Sequence, residues 1–516
     1  MKNIITKGYL LTAFITIFSF NACDIERLDA PPLGLTEDSY FTKESEFEQV
    51  LFNGYAKMTD WYWFRSQSFL QPMYYLQGDD ITEDNGVFGT WELFNNVSIT
   101  NDRVSYFWRS TYELIQRTNV VIQKTTNADP SLFDDPSFLD IHRGEALFLR
   151  ALANFKLFNM FGTAPLVIER LKAETLNQPK SQGTQLLDQA IIDLQAAIPL
   201  LPASWEASKR GRATKNSANG LLLKALVFRG DYTGNTADYT SAVQAYNALT
   251  ANLTTNYTDN FSAFTENNVE SLFEYQASRV AGQDNVWLQN DGPWRDTEVM
   301  STYWGFYTVV NNESRSNLPG NTWKVTQKMF NAYGTDPRVA FFTEPNRSFT
   351  KYGKAGLDQL AGNVGSLNNI RLLRFAESKL LAAEAILLSG GNKADAISLV
   401  NEVRKRARDW AGTAGIAGTV PADRSTAETD NATIMQWIED ERVIELLGEE
   451  QIRWFDLKRW DARGYKDLST WNGDVQHFST DLAGTFQFQY PKHLLLPLPQ
   501  SEMNTNVSII ENNIGY

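Results

Sequence analysis

Residues 438–460 read IEDERVIELLGEEQIRWFDLKRW, two short amphipathic stretches on either side of Gly448. On a helix Glu441 and Glu445 stand four apart and share a face, with Arg442 beside them. Glu449 precedes the second stretch, in which Arg453 and Trp454 lie close to Asp456 and Arg459. Guanidinium and carboxylate groups set among Leu446, Trp454 and Leu457 enter a core only as pairs. This run is therefore expected to lock helices together rather than to touch a ligand.

The same helical grammar extends upstream. Apolar spacings of three and four mark helices at 44–58, through Phe47, Val50, Leu51, Tyr55 and Met58, and at 104–125. Residues 143–161 form a long helix stopped by Gly162 and Pro165, followed by helices at 182–201, 217–228 and 239–251. Stretches 370–388 and 394–407 pair around Ser389-Gly390-Gly391, and 433–447 pairs with 449–460 around Gly448. Gly230-x-Tyr232, and Gly391 followed by Ala396, match the turn glycine and the small second-helix residue of the tetratricopeptide pattern, which let two helices approach. The expected fold is mainly α, a tetratricopeptide-like helical-repeat scaffold with long irregular loop inserts. The inserts fall around 74–103, 252–324 and 411–430, with another irregular stretch after Asp461. In such a frame recognition belongs to the loops carried by rigid helices.

Of the 516 residues 43% are hydrophobic, and no apolar run beyond the N-terminal one approaches the length of a membrane span. A formal charge of -14 argues against nucleic acid and against an electrostatic grip on anionic lipid, since both need clustered positive charge. Residues 1–22 carry Lys2 and Lys7, then GYLLTAFITIFSF, then Asn21-Ala22 before Cys23, the only cysteine. That apolar stretch is shorter than a span of about 20 residues and suits an export signal. A small residue before a lone cysteine looks like a bacterial lipoprotein cleavage site, so Cys23 is expected to become the lipid-bearing N-terminus. Residues 23–40 begin acidic and then bear prolines without helical period, as a tether would.

Aromatic residues make up 13% of the chain, including 14 tryptophans, and many fall in polar stretches rather than core helices. Flat rings beside amides and carboxylates suit sugars, whose C–H faces lie on the ring while their hydroxyls take hydrogen bonds. Trp91 and Trp304 are the leading candidate platforms, with Trp61, Trp63, Trp287, Trp294, Tyr303 and Tyr307 as further ones. Asn95, Asn96, Arg295 and Asp296 are the candidate hydroxyl partners. Asp79-Asp80 with Glu83-Asp84 reads as a solvated acidic turn, the alternatives being a calcium site or a glycosidase carboxylate pair. The three histidines, His142, His477 and His493, sit in no metal-ligand spacing, and there is no nucleophile elbow or phosphate loop. Neither an enzymatic activity nor a cofactor is expected.

The run at 438–460 resembles the C-terminal signature of the SusD/RagB outer-membrane lipoproteins, carried here by Glu441, Arg442, Glu445, Leu446, Glu449, Arg453, Trp454, Asp456, Leu457 and Arg459. The ending LLPLPQ at 495–500, Glu502 and NIGY at 513–516 resemble the family's close, with Ile514 where proline is usual. Phe148-Leu149-Arg150-Ala151, Gly211-Arg212-Ala213-Thr214-Lys215 and Leu372-Leu373-Arg374-Phe375-Ala376-Glu377 are similar to further family segments. The resemblance implies a signal peptide at 1–22, a lipidated tether at 23–40 and one SusD-like domain at 41–516. It also implies a glycan-binding, non-catalytic lipoprotein on the outer face of the outer membrane. Family members cover the mouth of a SusC-like TonB-dependent transporter as a mobile lid and hand oligosaccharide to it. The rival readings are the same lid serving peptides, and a glycoside hydrolase.

Overall fold

Ten helices of ten residues or more carry the frame among the described residues: α1 (Glu44–Lys57), α2 (Asp102–Asn127), α3 (Ser137–Phe161), α4 (Gln185–Leu200), α5 (Lys215–Thr233), α6 (Thr236–Asn247), α7 (Phe375–Leu388), α8 (Lys393–Thr413), α9 (Asn431–Leu446) and α10 (Ile452–Ala462). The computed structural model describes residues 39–64, 68–83, 89–95, 97–276, 323–343, 347–349, 351, 357–360, 363–366, 368–413, 419–450, 452–471 and 486–516. From α1 to α6 each helix packs on the next, and α6 then packs on α7, across the long central insert. α7 lies against α8 and α9, so successive hairpins build a tetratricopeptide-like stack. Cys23 and its leader lie outside the described residues.

Local chemistry sets the helix ends. Asn101 caps α2 by accepting from the N–H groups of Arg103 and Val104, and Thr214 shares a capping box with Ser217 at the start of α5. α3 is buried on all sides from Gly144 to Phe161, which makes it the central pillar of the stack. It ends at Gly162, whose φ of 70° suits glycine and whose Cβ would lie 2.7 Å from Leu495 Cδ1. The C-terminal segment packs there: Leu496 N–H donates to Met160 O at 2.8 Å, and the Asn513 amide donates to Phe161 O at 2.9 Å. At Gly230 a Cβ would sit 2.8 Å from the Tyr239 ring, so a glycine lets α5 and α6 approach.

One helix expectation needs correction. Residues 370–388 are not a single helix: Ile370–Arg374 is strand β10, paired antiparallel with β4 (Ser271–Tyr275), and only Phe375–Leu388 is helical. Ile370, Arg371, Leu373 and Arg374 are all buried, so a short run enclosed on both faces lacks the period that would distinguish strand from helix.

The run at 438–460 turns its charges inward. Glu445 accepts from Arg338 at 2.8 Å, Arg374 at 2.6 Å and Arg406 at 2.5 Å, and its carboxylate is fully buried. Glu441 binds Arg338 at 2.7 Å and Arg404 at 2.8 Å. Glu449 binds Arg374 and Lys351, each at 2.7 Å, and Glu270 just before β4 binds Arg374 and Arg406. Burial alone would raise the pKa of Glu445, but the guanidinia of Arg406, Arg374 and Arg338 outweigh it and hold the carboxyl at about 2. A second knot joins α10 to the stack. Arg459 pairs with Asp456, with Asp231 of α5 and with Glu384 of α7, while Arg442 pairs with Asp456 at 2.8 Å.

Removing one member of such a knot leaves its partners charged and dry. Glu445→Ala is expected to lower stability by about 3–5 kcal/mol or to prevent accumulation of folded protein, measured by thermal and urea unfolding. Asp409→Ala, which breaks an exposed pair with Lys405, is expected to change stability by about 0.5 kcal/mol or less. Equal effects from the two substitutions would contradict the assignment of the knot as a structural lock.

Candidate functional site

The aromatic inserts are rooted at one place. β3 (Ile81–Glu83) in the first insert pairs antiparallel with β5 (Trp323–Val325) at the end of the second, in the register Ile81↔Val325, Thr82↔Lys324 and Glu83↔Trp323. Segments 84–88 and 277–322 thus join the frame at neighbouring strand ends, because Glu83 precedes the first and Trp323 follows the second. Thr326 fastens the join, its N–H donating to Asp80 O at 2.9 Å and its hydroxyl to Asp79 O at 2.8 Å. The other root of the second insert lies against the Trp61-Tyr62 turn. The rings of Tyr275 and Tyr62 are 5.3 Å apart, and the hydroxyls of Tyr275 and Thr59 are 2.9 Å apart.

A cavity of about 600 Å³ opens beside this join. Asp79 comes from the first insert, Lys328 from just after the second, Arg424 from the third, and Trp471 from the stretch after α10. Gln436, Glu439 and Asp440 of α9, Arg453 of α10, and Lys466 and Asp467 beyond it also line the wall. The first and third inserts therefore reach one opening, with the second rooted beside it through β5, on the helices that carry the buried knots.

The cavity is charged and rigid. Arg453 grips Asp79 through two bonds, Nε to Oδ1 at 2.6 Å and Nη2 to Oδ2 at 3.0 Å, and Lys328 adds a third contact at 2.8 Å. Burial would raise Asp79, yet Arg453 and Lys328 hold its carboxyl well below the usual carboxylate range. Asp80 belongs to a separate crevice of about 10 Å³ that Arg442 and Asp456 also line. There burial first, and the charge of Asp79 second, push Asp80 up to about 7. The two carboxyls thus face different spaces, and Asp80 has no room for a sugar beside it. The half-buried Trp471 stacks on Trp454 with ring centres 5.5 Å apart, and Phe94 packs against both.

Two of the expected platforms are core residues instead. Trp61 is fully buried, its indole N–H donating to Thr111 Oγ1 at 2.9 Å and its ring lying 5.0 Å from Lys156 Nζ. It sits inside because the 3-10 turn Met58–Trp61 continues α1 against α2. Trp91, 1% exposed, belongs to the short helix Gly89–Glu92, which folds back into the core beside Leu93 and Phe94. Neither offers a face to a ligand. Trp63 lies in β1 (Trp63–Phe64), paired with Phe69 of β2 (Ser68–Phe69), and Asn95 is half-buried next to Phe94. Asn96, Trp287, Trp294, Arg295, Asp296, Tyr303, Trp304 and Tyr307 lie outside the described residues, as does Asp84 of the acidic turn. Among the described residues no group of three or more His, Cys, Asp or Glu is arranged to hold a metal ion.

Trp471, Lys328, Arg424 and Gln436 escaped the sequence reading. Trp471 carried a signal, since Leu-Ser-Thr-Trp-Asn-Gly at 468–473 is the same kind of polar, glycine-bearing stretch that marked the other rings. Arg453 serves twice, anchoring α10 to Asp79 and lining the cavity.

A family model described as "SusD family" matches residues 228–516, and one described as "Starch-binding associating with outer membrane" matches residues 33–225. The "SusD-like protein P2" of Formosa agariphila is 25% identical over 548 residues, covering 99% of this chain and 100% of that protein. Among solved structures, a "Laminarin binding SusD-like protein" superposes with a TM-score of 0.69 at 22% identity, covering 92% of this chain and all of the other. "Surface glycan-binding protein A" from Bacteroides thetaiotaomicron superposes with a TM-score of 0.68 at 19% identity, with the same coverage.

The environment of Asp80 has a pH consequence. Its folded pKa of about 7 lies above the unfolded value of about 3.9, so the folded state holds the proton more tightly. The stability this contributes is complete below pH 4 and is lost as pH rises through 7. Asp80→Asn removes that titration, so the variant should gain on the wild type between pH 4 and pH 8, by on the order of 4 kcal/mol. Paired melting curves across that range check it, and a constant difference would refute the buried, proton-holding environment.

Proposed function

Because this chain belongs to the SusD family, we propose that it is a glycan-binding protein of the outer membrane surface, which captures oligosaccharide or polysaccharide at the face where its inserts meet. Residues 41–516 act as one domain. Lipid on Cys23 anchors it, the acidic tether gives it reach, and it works as the lid of a SusC-like TonB-dependent transporter to which it passes glycan. The observation that carries the reading is one cavity lined by the first and third inserts, beside the β3–β5 join that roots the second and the Asp79–Arg453 pair. The names of the solved neighbours, one for laminarin and one for surface glycan, support the ligand class. The half-buried Trp471, with the amide of Gln436 and the charged heads of Arg424 and Lys328, supplies a ring and hydroxyl partners of the kind sugars take. Trp304, Trp287, Trp294, Tyr303 and Tyr307, in the sequence between β4 and β5, are proposed as further platforms, with Arg295 and Asp296 as hydroxyl partners.

The proposal is for binding without turnover. Asp79 has both oxygens in ion pairs and Asp80 faces a separate crevice, so this acidic pair is unsuited to flank a glycosidic bond.

Calorimetry and affinity electrophoresis with malto-, laminari-, manno- and xylo-oligosaccharides test the site. Trp471→Ala and Trp304→Ala are each expected to weaken binding about fivefold or more with the melting temperature retained, since a stacked ring contributes on the order of 1 kcal/mol. Full affinity in both variants would overturn the placement. Release of reducing ends from the same glycans, abolished by a single carboxylate substitution, would overturn binding without turnover. In cells, Cys23→Ser should move the protein from the membrane to the soluble fraction, and retention at the membrane would refute lipid anchoring.

A further inference from the structure

A larger cavity, of about 820 Å³, lies between α2, the loop that follows α3 and the short C-terminal helix Gln500–Thr505. It shares no lining residue with the cavity at the insert roots. Its wall holds Tyr106, Trp108 and Tyr112 of α2, with Trp108 and Tyr112 on one edge of the lining and Tyr106 on the other; Tyr106 and Tyr112 are half-buried and Trp108 is buried. The polar ends of two rings are tied down: the Trp108 indole N–H donates to Glu502 at 3.3 Å and the Tyr112 hydroxyl to Pro165 O at 2.7 Å, while the Tyr106 hydroxyl lies beside the Asp60 carboxylate. The ring orientations are thereby set before any ligand arrives, which limits the entropy lost on binding. Around the rings stand long polar side chains, among them the exposed Arg109, whose guanidinium lies 5.3 Å from the centre of Tyr106, and Gln178 across the opening.

From this geometry we infer that the α2 cavity is a second saccharide-binding site, separate from the insert face and suited to a neutral oligosaccharide. The size falls in the usual range for small-molecule sites, roughly 300–1,000 Å³. Oriented rings with hydroxyl-reaching Arg and Gln heads match a sugar, with its apolar faces and hydroxyl edge. The charge selects against acidic glycans. Asp102, Glu113 and Glu502 outnumber Arg109 and Arg117 in the lining, so a sulfated or uronate chain would meet net repulsion, while a neutral chain would not. Two sites on one chain raise the retention of a long polysaccharide by multivalency, beyond what either site supplies.

The inference rests on the glycan-binding reading, and the experiment separates the two. Calorimetry of the full chain with laminarihexaose, maltohexaose and mannohexaose should give two sites for at least one neutral probe. Tyr106→Ala, and independently Arg109→Ala, should remove or weaken one of them about fivefold, leaving the other intact. Arg109 is 66% exposed, so its substitution leaves the fold in place even if Tyr106→Ala disturbs the Asp60 contact. Trp471→Ala should remove the other site. A single site that is lost in Trp471→Ala and untouched in both α2 variants would overturn this inference and leave the insert-face reading standing. A single site lost in the α2 variants and untouched in Trp471→Ala and Trp304→Ala would sustain the inference and overturn that reading. No binding of any probe would overturn both.

Discussion

The carboxylate of Glu445, dry and bonded to three guanidinia, is the interaction on which the remaining architecture depends. An isolated carboxylate in that position would be protonated or would unfold its surroundings, and a guanidinium has no neutral form to fall back on. The knot is therefore stable only when complete. Its members come from every part of the second half of the chain: Glu270 from just before β4, Arg338 and Lys351 from beyond the second insert, Arg374 from β10, Arg404 and Arg406 from α8, and Glu441, Glu445 and Glu449 around α9. Each roots a different segment. Completing the knot closes the central insert at both ends, because Glu270 and Arg338 bracket it in sequence and are linked in space through the Arg374–Glu445 pair, Glu270 on Arg374 and Arg338 on Glu445.

That closure fixes where a variable surface can stand. The inserts can change in length and content between the knot's anchor points without altering the frame beneath. Arg453 extends the arrangement outward, since its guanidinium holds Asp79, which in turn fixes the first insert at its join with β5. The wall of the insert-face cavity is thus continuous with the most constrained region of the protein. A recognition site benefits from that, because side chains on a rigid base lose little freedom when a ligand arrives.

Legibility in the sequence follows the same division. The helices were readable because their apolar period is local, and the acid-base run at 438–460 was readable because unpaired charge among apolar residues has only one stable arrangement. Strand β10 was not, since a short run buried on both faces has no period and its partner β4 lies about a hundred residues upstream. The site was legible as a set of segments but not as residues. Polar, aromatic-rich composition marked the inserts, and the structure roots two of them side by side at the β3–β5 join, yet Lys328 and Arg424 line the cavity through tertiary position alone. Trp61 and Trp91 show the limit of composition most clearly. Their neighbours in sequence are polar, but a 3-10 turn and a four-residue helix rotate both indoles inward.

The fate of those two rings bears on how aromatic richness should be weighed. A tryptophan becomes a core residue when its N–H finds an internal acceptor and its faces find partners, as Trp61 does with Thr111 and Lys156. It becomes available to a ligand only where the frame leaves an opening beside it. Trp471 stands at such an opening on the insert face, and Tyr106 and Tyr112 stand at another on α2. In both places a ring is fixed by a second contact, Trp471 by stacking on Trp454 in one and Tyr112 by its hydroxyl bond to Pro165 O in the other. Fixed rings beside polar heads, rather than the number of rings in the chain, are what qualify these two cavities for the proposed saccharide chemistry.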